Sequence, residues 1–354
     1  MREGRNGFRG KTAMESYTAL ALQTACHAVN RLDVAVGREA IARNIARIHA
    51  QAVNAKRFLG ADLKLVVLPE YSVSGFPWGE DAATWKAKAA FEINGPEYEA
   101  FGRLAQEAGV FLAGNHYEQD PHFPALYFQT STVIAPSGDV VLRYRRLISM
   151  FAPSPFDVLE KYLDVYGEAA LFPVADTEIG KLAAIASEEI LYPEIARAHV
   201  SNGAQILLHS SSEVSSPLAT PKSITRHARA VENMAFVVSA NSGGLFGIDI
   251  PENSTDGGSE IIDYKGNILA RAGAGESINA FAEINLEALR RYRRRPGMGN
   301  LLSRHPMQLW AQAYAQHSAA EKSGLGDGAS APARDFYVSR QQRVIAALDN
   351  AGLL

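Results

Sequence analysis

The chain has little cysteine and little charge imbalance. Cys26 is its one cysteine in 354 residues, so an intrachain disulfide is excluded. That usage fits a reducing, cytoplasmic setting. The formal net charge is −3, which supplies no field to draw in nucleic acid or a membrane surface. No apolar run approaches the roughly 20 residues of a membrane helix, so no membrane partner is expected. The first residues, MREGRNGFRGKTAMES, lack the apolar centre of a signal peptide. The nine histidines show no HExxH or comparable ligand spacing, so no metal is expected. Glu188 and Glu189 could at most meet a cation opportunistically. No GxxxxGK[ST] or GxGxxG segment is present, which argues against a nucleotide. One basic run, Arg290-Arg291-Tyr292-Arg293-Arg294-Arg295, reads as a subunit contact or a solvated helix end rather than a nucleic-acid patch.

What is present is a large apolar fraction, 47%, in strand-like runs that alternate with helical patterns. Strands are predicted over 17–24, 65–68, 110–113, 182–186, 204–209 and 235–240. Helices are predicted over 38–58, 96–108, from 193 to 200 and over 221–233. Two hairpins interrupt the alternation. One turns at Pro136-Ser137-Gly138 and the other at Lys265-Gly266-Asn267. The pattern implies a mixed sheet with helices outside it. The ends differ. Residues 1–16 read as an arm, 17–300 as the main domain and 301–354 as an extension. Within the extension, 323–333 is linker-like, and 336–354 forms a helix suited to a subunit interface.

Several polar residues stand where strands end. Glu70 follows a buried strand in LVVLPEYSVSGFP, where ligands of α/β sheets bind. A carboxylate at an apolar wall can act as a base. Arg146 lies in VVLRYRRLIS, and strand alternation puts it with Tyr144, opposite Arg145. A buried arginine needs a carboxylate, and Glu70 or Glu118 could supply it. Ser187 closes the strand of LAAIASEEILYPEIAR, at an elbow that exposes a side chain and backbone N–H groups together. Glu118 ends GNHYE, after another strand. Taken singly, each has a plainer reading: a strand-end acid, a solvated arginine, a small polar residue, a loop acid.

Together these segments resemble the nitrilase superfamily of carbon–nitrogen hydrolases over about residues 15–300. The shared elements run in order: LPE, the G-x-x-x-E element ending at Glu118, APSG, the YRR strand, ASEEILYPEIAR, GAQILLH, RAVEN and GGSEIIDYKG. The resemblance implies an α/β fold, a four-layer αββα sandwich, in subunits that pair into homodimers or larger homo-oligomers. It implies cleavage of small non-peptide C–N bonds (amide, N-carbamoyl or formyl) with no cofactor. In the family a glutamate is the base, a lysine steadies the tetrahedral intermediate, and a cysteine carries the acyl group. A second glutamate supports the substrate or the lysine. Those roles fall on Glu70, Arg146, Ser187 and Glu118, with Glu189 as a further supporting residue.

Serine in the cysteine position and arginine in the lysine position depart from the pattern. Serine needs help to lose its proton, and arginine cannot give one up. The resemblance therefore leaves two expectations open. One is a hydrolase or acyl transferase with a Glu-Arg-Ser site. The other is an inactive member that binds a small ligand or scaffolds an assembly. Phe76, Trp78, Phe151 and Phe156 are expected to wall the pocket.

Overall fold

The computed structural model describes residues 14–150, 152–213, 219–316 and 322–353. Two sheets lie face to face, each with helices on its outer side. The strands of the first sheet are β1 (Ser16–Ala21), β2 (Leu63–Glu70), β3 (Phe111–Gln119), β4 (Tyr127–Ile134), β5 (Val140–Arg145) and, late in the chain, β12 (Phe281–Asn285). Their order is β12-β1-β2-β3-β4-β5, with the short strand Ala90–Phe91 beside β3. The second sheet uses β6 (Ala175–Thr177), β7 (Gly180–Ala186), β8 (Ile206–Ser210), β9 (Phe236–Ala240), β10 (Glu260–Ile262) and β11 (Ile268–Arg271), in the order β11-β10-β9-β8-β7-β6. The central pairs, β1 with β2, β2 with β3, β7 with β8 and β8 with β9, are parallel. Antiparallel strands flank them, as the two hairpin signals imply.

The sequence makes these layers for a simple reason. Strands such as ILL within β8 and VVL within β2 are apolar on both faces, because one face meets the other sheet and the other meets helices. Tyr17, Leu65, Val67, Ile206, Leu208 and Val238 belong to the core between the sheets. Each such side chain, fully buried, stabilises the fold by about 1.5–3 kcal/mol. A second core joins the first sheet to α1 (Val34–Leu59), α2 (Ala82–Ala89) and α3 (Pro96–Ala108), through Ile41, Ile45, Ile48, Trp85 and Phe101. The apolar period read over 38–58 is the buried stripe of α1. On the far side, α5 (Pro193–Ser201) and α6 (Pro221–Asn233) cover the second sheet. The four-layer expectation holds.

Several boundaries differ from expectation. The third strand runs from Phe111 through Gln119, so GNHYE lies inside a strand and not in a loop. Its alternating side chains pair with β4 over the whole length, and the sheet takes up the polar residues. The region 323–333 is not a free linker. Leu325 packs beside Phe123, Leu126, Phe128 and Tyr162 near α4 (Leu159–Tyr166), and Ser323 N donates to Phe156 O at 2.9 Å. The helix that follows, Arg334–Asn350, carries Arg340, which pairs with Asp157. Small residues and a buried ion pair anchor this segment where composition alone reads as loose. The helix Met307–Gln316 leaves Leu309, Trp310 and Tyr314 exposed. Among the described residues, no helix is long and apolar enough to cross a membrane. Most of the proposed N-terminal arm lies outside the described residues.

Candidate active site

The carboxyl ends of β2 and β7 face each other across the inter-sheet core. Glu70 is the last residue of β2, and Glu70 N donates to Ser211 O, just beyond β8, at 3.2 Å. Ser210 Oγ donates to Leu68 O at 2.8 Å. These two bonds pin the ends of the sheets to one another.

Ser187 leaves β7 with φ of +47°, a left-handed conformation that costs a non-glycine residue energy. Such strain persists where the surroundings over-determine it, and it gathers at functional sites. A short 3-10 turn, Ser187–Leu191, follows, and Pro193 then opens α5. The elbow read from the sequence is therefore real. Ser187 is 4% exposed.

His209 secures the elbow from below. Its Nε2 lies 2.9 Å from Ser187 O, and its Nδ1 lies 2.8 Å from Ser239 Oγ. Burial, with help from Arg226, drives its pKa well down, so the ring is neutral. A carbonyl only accepts, so the single ring proton sits on Nε2 and Nδ1 accepts from Ser239. This histidine holds the Ser187 backbone and is not placed to take the hydroxyl proton.

Arg146 follows β5 and turns inward on the Tyr144 side, as strand alternation requires. Its Nη1 donates to Gln129 Oε1 at 2.6 Å and to Glu70 Oε1 at 3.3 Å. Its Nε donates to Ile148 O at 2.6 Å, and its Nη2 pairs with Glu188. Burial works against the charged guanidinium, but Glu188, Tyr71 and Glu70 outweigh it and raise its pKa. Gln129 Nε2 completes the cluster, donating to Glu70 Oε1 at 2.7 Å and to Asn115 Oδ1 at 2.8 Å. Gln129 and Asn115 were not singled out in the sequence. Their signal was only their parity, on the same face of β4 and β3 that carries the site.

Glu189 is completely buried and accepts from four donors. These are Tyr144 Oη at 2.8 Å, Leu147 N at 2.7 Å, Ile148 N at 3.1 Å and Ala186 N at 3.3 Å. Burial nevertheless raises its pKa to about 7. It ties the turn after β5 to the elbow after β7, and so sets Arg146 against Ser187.

Glu118 lies elsewhere. Odd and even residues of β3 point to opposite faces, so Asn115 faces the site while Glu118 faces the helix layer. There it accepts from Arg143 Nε at 2.7 Å, from Arg145 Nη2 at 3.1 Å and from the Tyr98 hydroxyl. Arg145 also meets Asp120 at 2.5 Å. The expected pairing of Glu118 with Arg146 is not made, because Glu70 and Glu188 take that guanidinium. Glu118 is a buried ion-pair centre and not a loop acid.

Lys222 is the residue that sequence reading passed over. Thr220 caps α6, accepting from Ser223 N at 3.1 Å, and Pro221 occupies the first helical position, where no donor is needed. This start fixes Lys222 in the first turn. Its Nζ lies 3.0 Å from Ser187 Oγ. The two are 35 positions apart, and no local motif marks the pair.

Of the expected aromatic wall, Phe76 stands 5.8 Å from Tyr71, which stacks on Tyr117, and Trp78 packs edge-on to Phe76. Phe156 instead lies against Arg340. Phe151 lies outside the described residues. Among the described residues, no group of three or more His, Cys, Asp or Glu is arranged to hold a metal ion.

This buried elbow of one sheet, facing a charged cluster on the other, belongs to a known class. The carbon–nitrogen hydrolase family model matches residues 25–294, so the chain is a member of that family. A formamidase of Bacillus cereus (strain B4264) is 28% identical over 188 residues, 52% of this chain and 52% of that protein. The chain thus matches about half the length of such curated relatives. Among solved structures, a branch 10 member of the nitrilase superfamily from Saccharomyces cerevisiae superposes with a TM-score of 0.64. It is 19% identical and covers 84% of this chain and 99% of its own. An amidase from Nesterenkonia sp. gives a TM-score of 0.57 at 18% identity, covering 87% and 100%. These two structures share the fold.

Proposed function

We propose that this protein hydrolyses the C–N bond of a small non-peptide amide, N-carbamoyl or formyl compound, with Ser187 as nucleophile. The observation that carries the reading is the strained, buried Ser187 elbow set against the Arg146–Glu70–Glu188 cluster. A nucleophile at the end of a parallel strand and a charged wall opposite it are the parts acyl transfer needs. The similarity to formamidases and to amidases supports an amide-type substrate. Serine replaces the cysteine that family members use, and Arg146 replaces their lysine. Glu70 orients Arg146 through their shared contact and through Gln129. Arg146 meets the polar end of the substrate.

A second reading has its own support. Arg146 has most of its donors committed to Glu70, Gln129, Glu188 and Ile148. A locked guanidinium of this kind suits a family member that binds a small ligand without turning it over.

The test is turnover of a panel of small amides, nitriles, N-carbamoyl and formyl compounds. Wild type is compared with Ser187→Ala and Glu70→Gln, with intact-mass detection of acyl adducts. Ammonia or amine release that both substitutions abolish supports the hydrolase. Full activity in Ser187→Ala would overturn the serine mechanism. Saturable binding with no product across the panel supports the second reading.

A further inference from the structure

We infer that Lys222 is the proton acceptor for Ser187, an inference that rests on Ser187 being the nucleophile. Glu70 is the base that the family resemblance implies. Its Oε1 already accepts from Gln129 at 2.7 Å and from Arg146 at 3.3 Å. His209 has its proton on the Ser187 side and its lone pair turned to Ser239. Among the described residues, Lys222 Nζ is the basic atom within hydrogen-bond reach of Ser187 Oγ, at 3.0 Å.

The surroundings suit an amine that exchanges a proton. Among the described residues Lys222 forms no ion pair, because Glu213, the carboxylate at the end of the nearby loop, is taken by Arg226 at 2.5 Å. The charged or titratable groups on the neighbouring elements include Glu188 and Glu189 of the elbow, His209 of β8, and Arg226 and Arg229 of α6.

Ser187 Oγ–H passes its proton to the neutral Lys222 amine while Oγ bonds to the acyl carbon. The resulting ammonium returns that proton to the leaving nitrogen as the C–N bond breaks, leaving an ester on Ser187. Water then attacks the ester carbon and gives its proton to Lys222. The C–Oγ bond breaks, Oγ takes the proton back, and the acid is released. Lys222 ends the cycle in the protonation state in which it entered it.

The probe is a fluorophosphonate, which needs no knowledge of the substrate. Ser187 Oγ bonds to phosphorus, fluoride leaves, and the proton goes to Lys222. Labelling rates are read by intact mass and localised by peptide mapping in wild type, Ser187→Ala, Lys222→Met, Lys222→Arg and Lys222→Ala. Labelling of wild type at Ser187 is expected, slowed about 10²-fold or more in Lys222→Met. Lys222→Arg should be equally slow, because a guanidinium holds positive charge but accepts no proton. Added ethylamine should restore part of the rate in Lys222→Ala, which a purely structural lysine would not allow. Near-wild-type labelling in Lys222→Met or Lys222→Arg would overturn the base assignment and leave the Ser187 reading standing. Wild type that labels no faster than Ser187→Ala would instead sink both.

Discussion

The hydroxyl of Tyr144 donates to Glu189 Oε2 across 2.8 Å and so joins the last strand of one sheet to the elbow of the other. Both groups are buried. Tyr144→Phe removes the donor and leaves a carboxylate oxygen with one partner fewer. The cost is about 1–3 kcal/mol, the usual figure for a buried group left unsatisfied beside a charge. Urea unfolding should show a lower midpoint at an unchanged slope. An unchanged midpoint would mean that this bond does not hold the elbow.

The same carboxylate makes stability depend on pH. Burial raises the Glu189 pKa from 4.5 to about 7. A raised carboxyl pKa means that the folded state favours the protonated form. That contribution is fully present below about 4.5 and is lost as pH rises to about 7. Glu189→Gln carries no such group. Wild type should therefore lose stability relative to Glu189→Gln across this window, by at most about 3 kcal/mol, and the gap should be flat above it. Paired denaturation curves from pH 4 to 8 measure the difference. A gap that is constant with pH would place the Glu189 titration outside the window.

The sequence made the layers of the fold readable because the layers follow periodicity. Leu65 to Leu68 and Leu182 to Ala186 are apolar on both faces, and α1 repeats its buried residues at a helical period. The candidates Glu70, Arg146 and Ser187 stand out in the sequence because each lies at or just past the end of a strand, within a motif of fixed order. Glu118 lies on the helix side because a strand boundary decides parity. Once β3 extends to Gln119, residue 118 must point away from residue 115. Lys222 was invisible for a different reason. Its approach to Ser187 depends on where α6 begins and how that helix lies on the second sheet. Neither is encoded in residues close to Ser187. The packing of 323–333 was hidden in the same way, since Gly and Ser composition does not reveal that Leu325 finds a pocket.

Arg146 is the charge on which the site depends. Arg146→Met strands Glu70 and Glu188 beside an apolar side chain. Breaking a buried pair in this way costs roughly 3–5 kcal/mol. Arg146→Lys keeps the charge but loses the fork that reaches Gln129, Glu70 and Glu188 together, so a smaller loss is expected. Thermal unfolding should rank the proteins wild type, Arg146→Lys, Arg146→Met from most to least stable. If Arg146→Met proves as stable as wild type, the guanidinium is not holding the two glutamates in solution.

Glu118 offers the opposite case, a buried carboxylate expected to matter for folding rather than for chemistry. It gathers Arg143, Arg145 and Tyr98 on the helix side of the first sheet. Glu118→Gln removes the charge that neutralises two arginines, and the loss should be on the order of 3 kcal/mol. The residue sits on the face of β3 away from Asn115 and Gln129, so the site itself keeps its contacts. Fluorophosphonate labelling of Ser187, corrected for folded fraction, should stay within about threefold of wild type, a change of under 1 kcal/mol in barrier. A hundredfold loss of labelling in a well-folded Glu118→Gln protein would show that this carboxylate acts through β3 on the elbow. The strand parity that separates it from Ser187 would then not describe the working site.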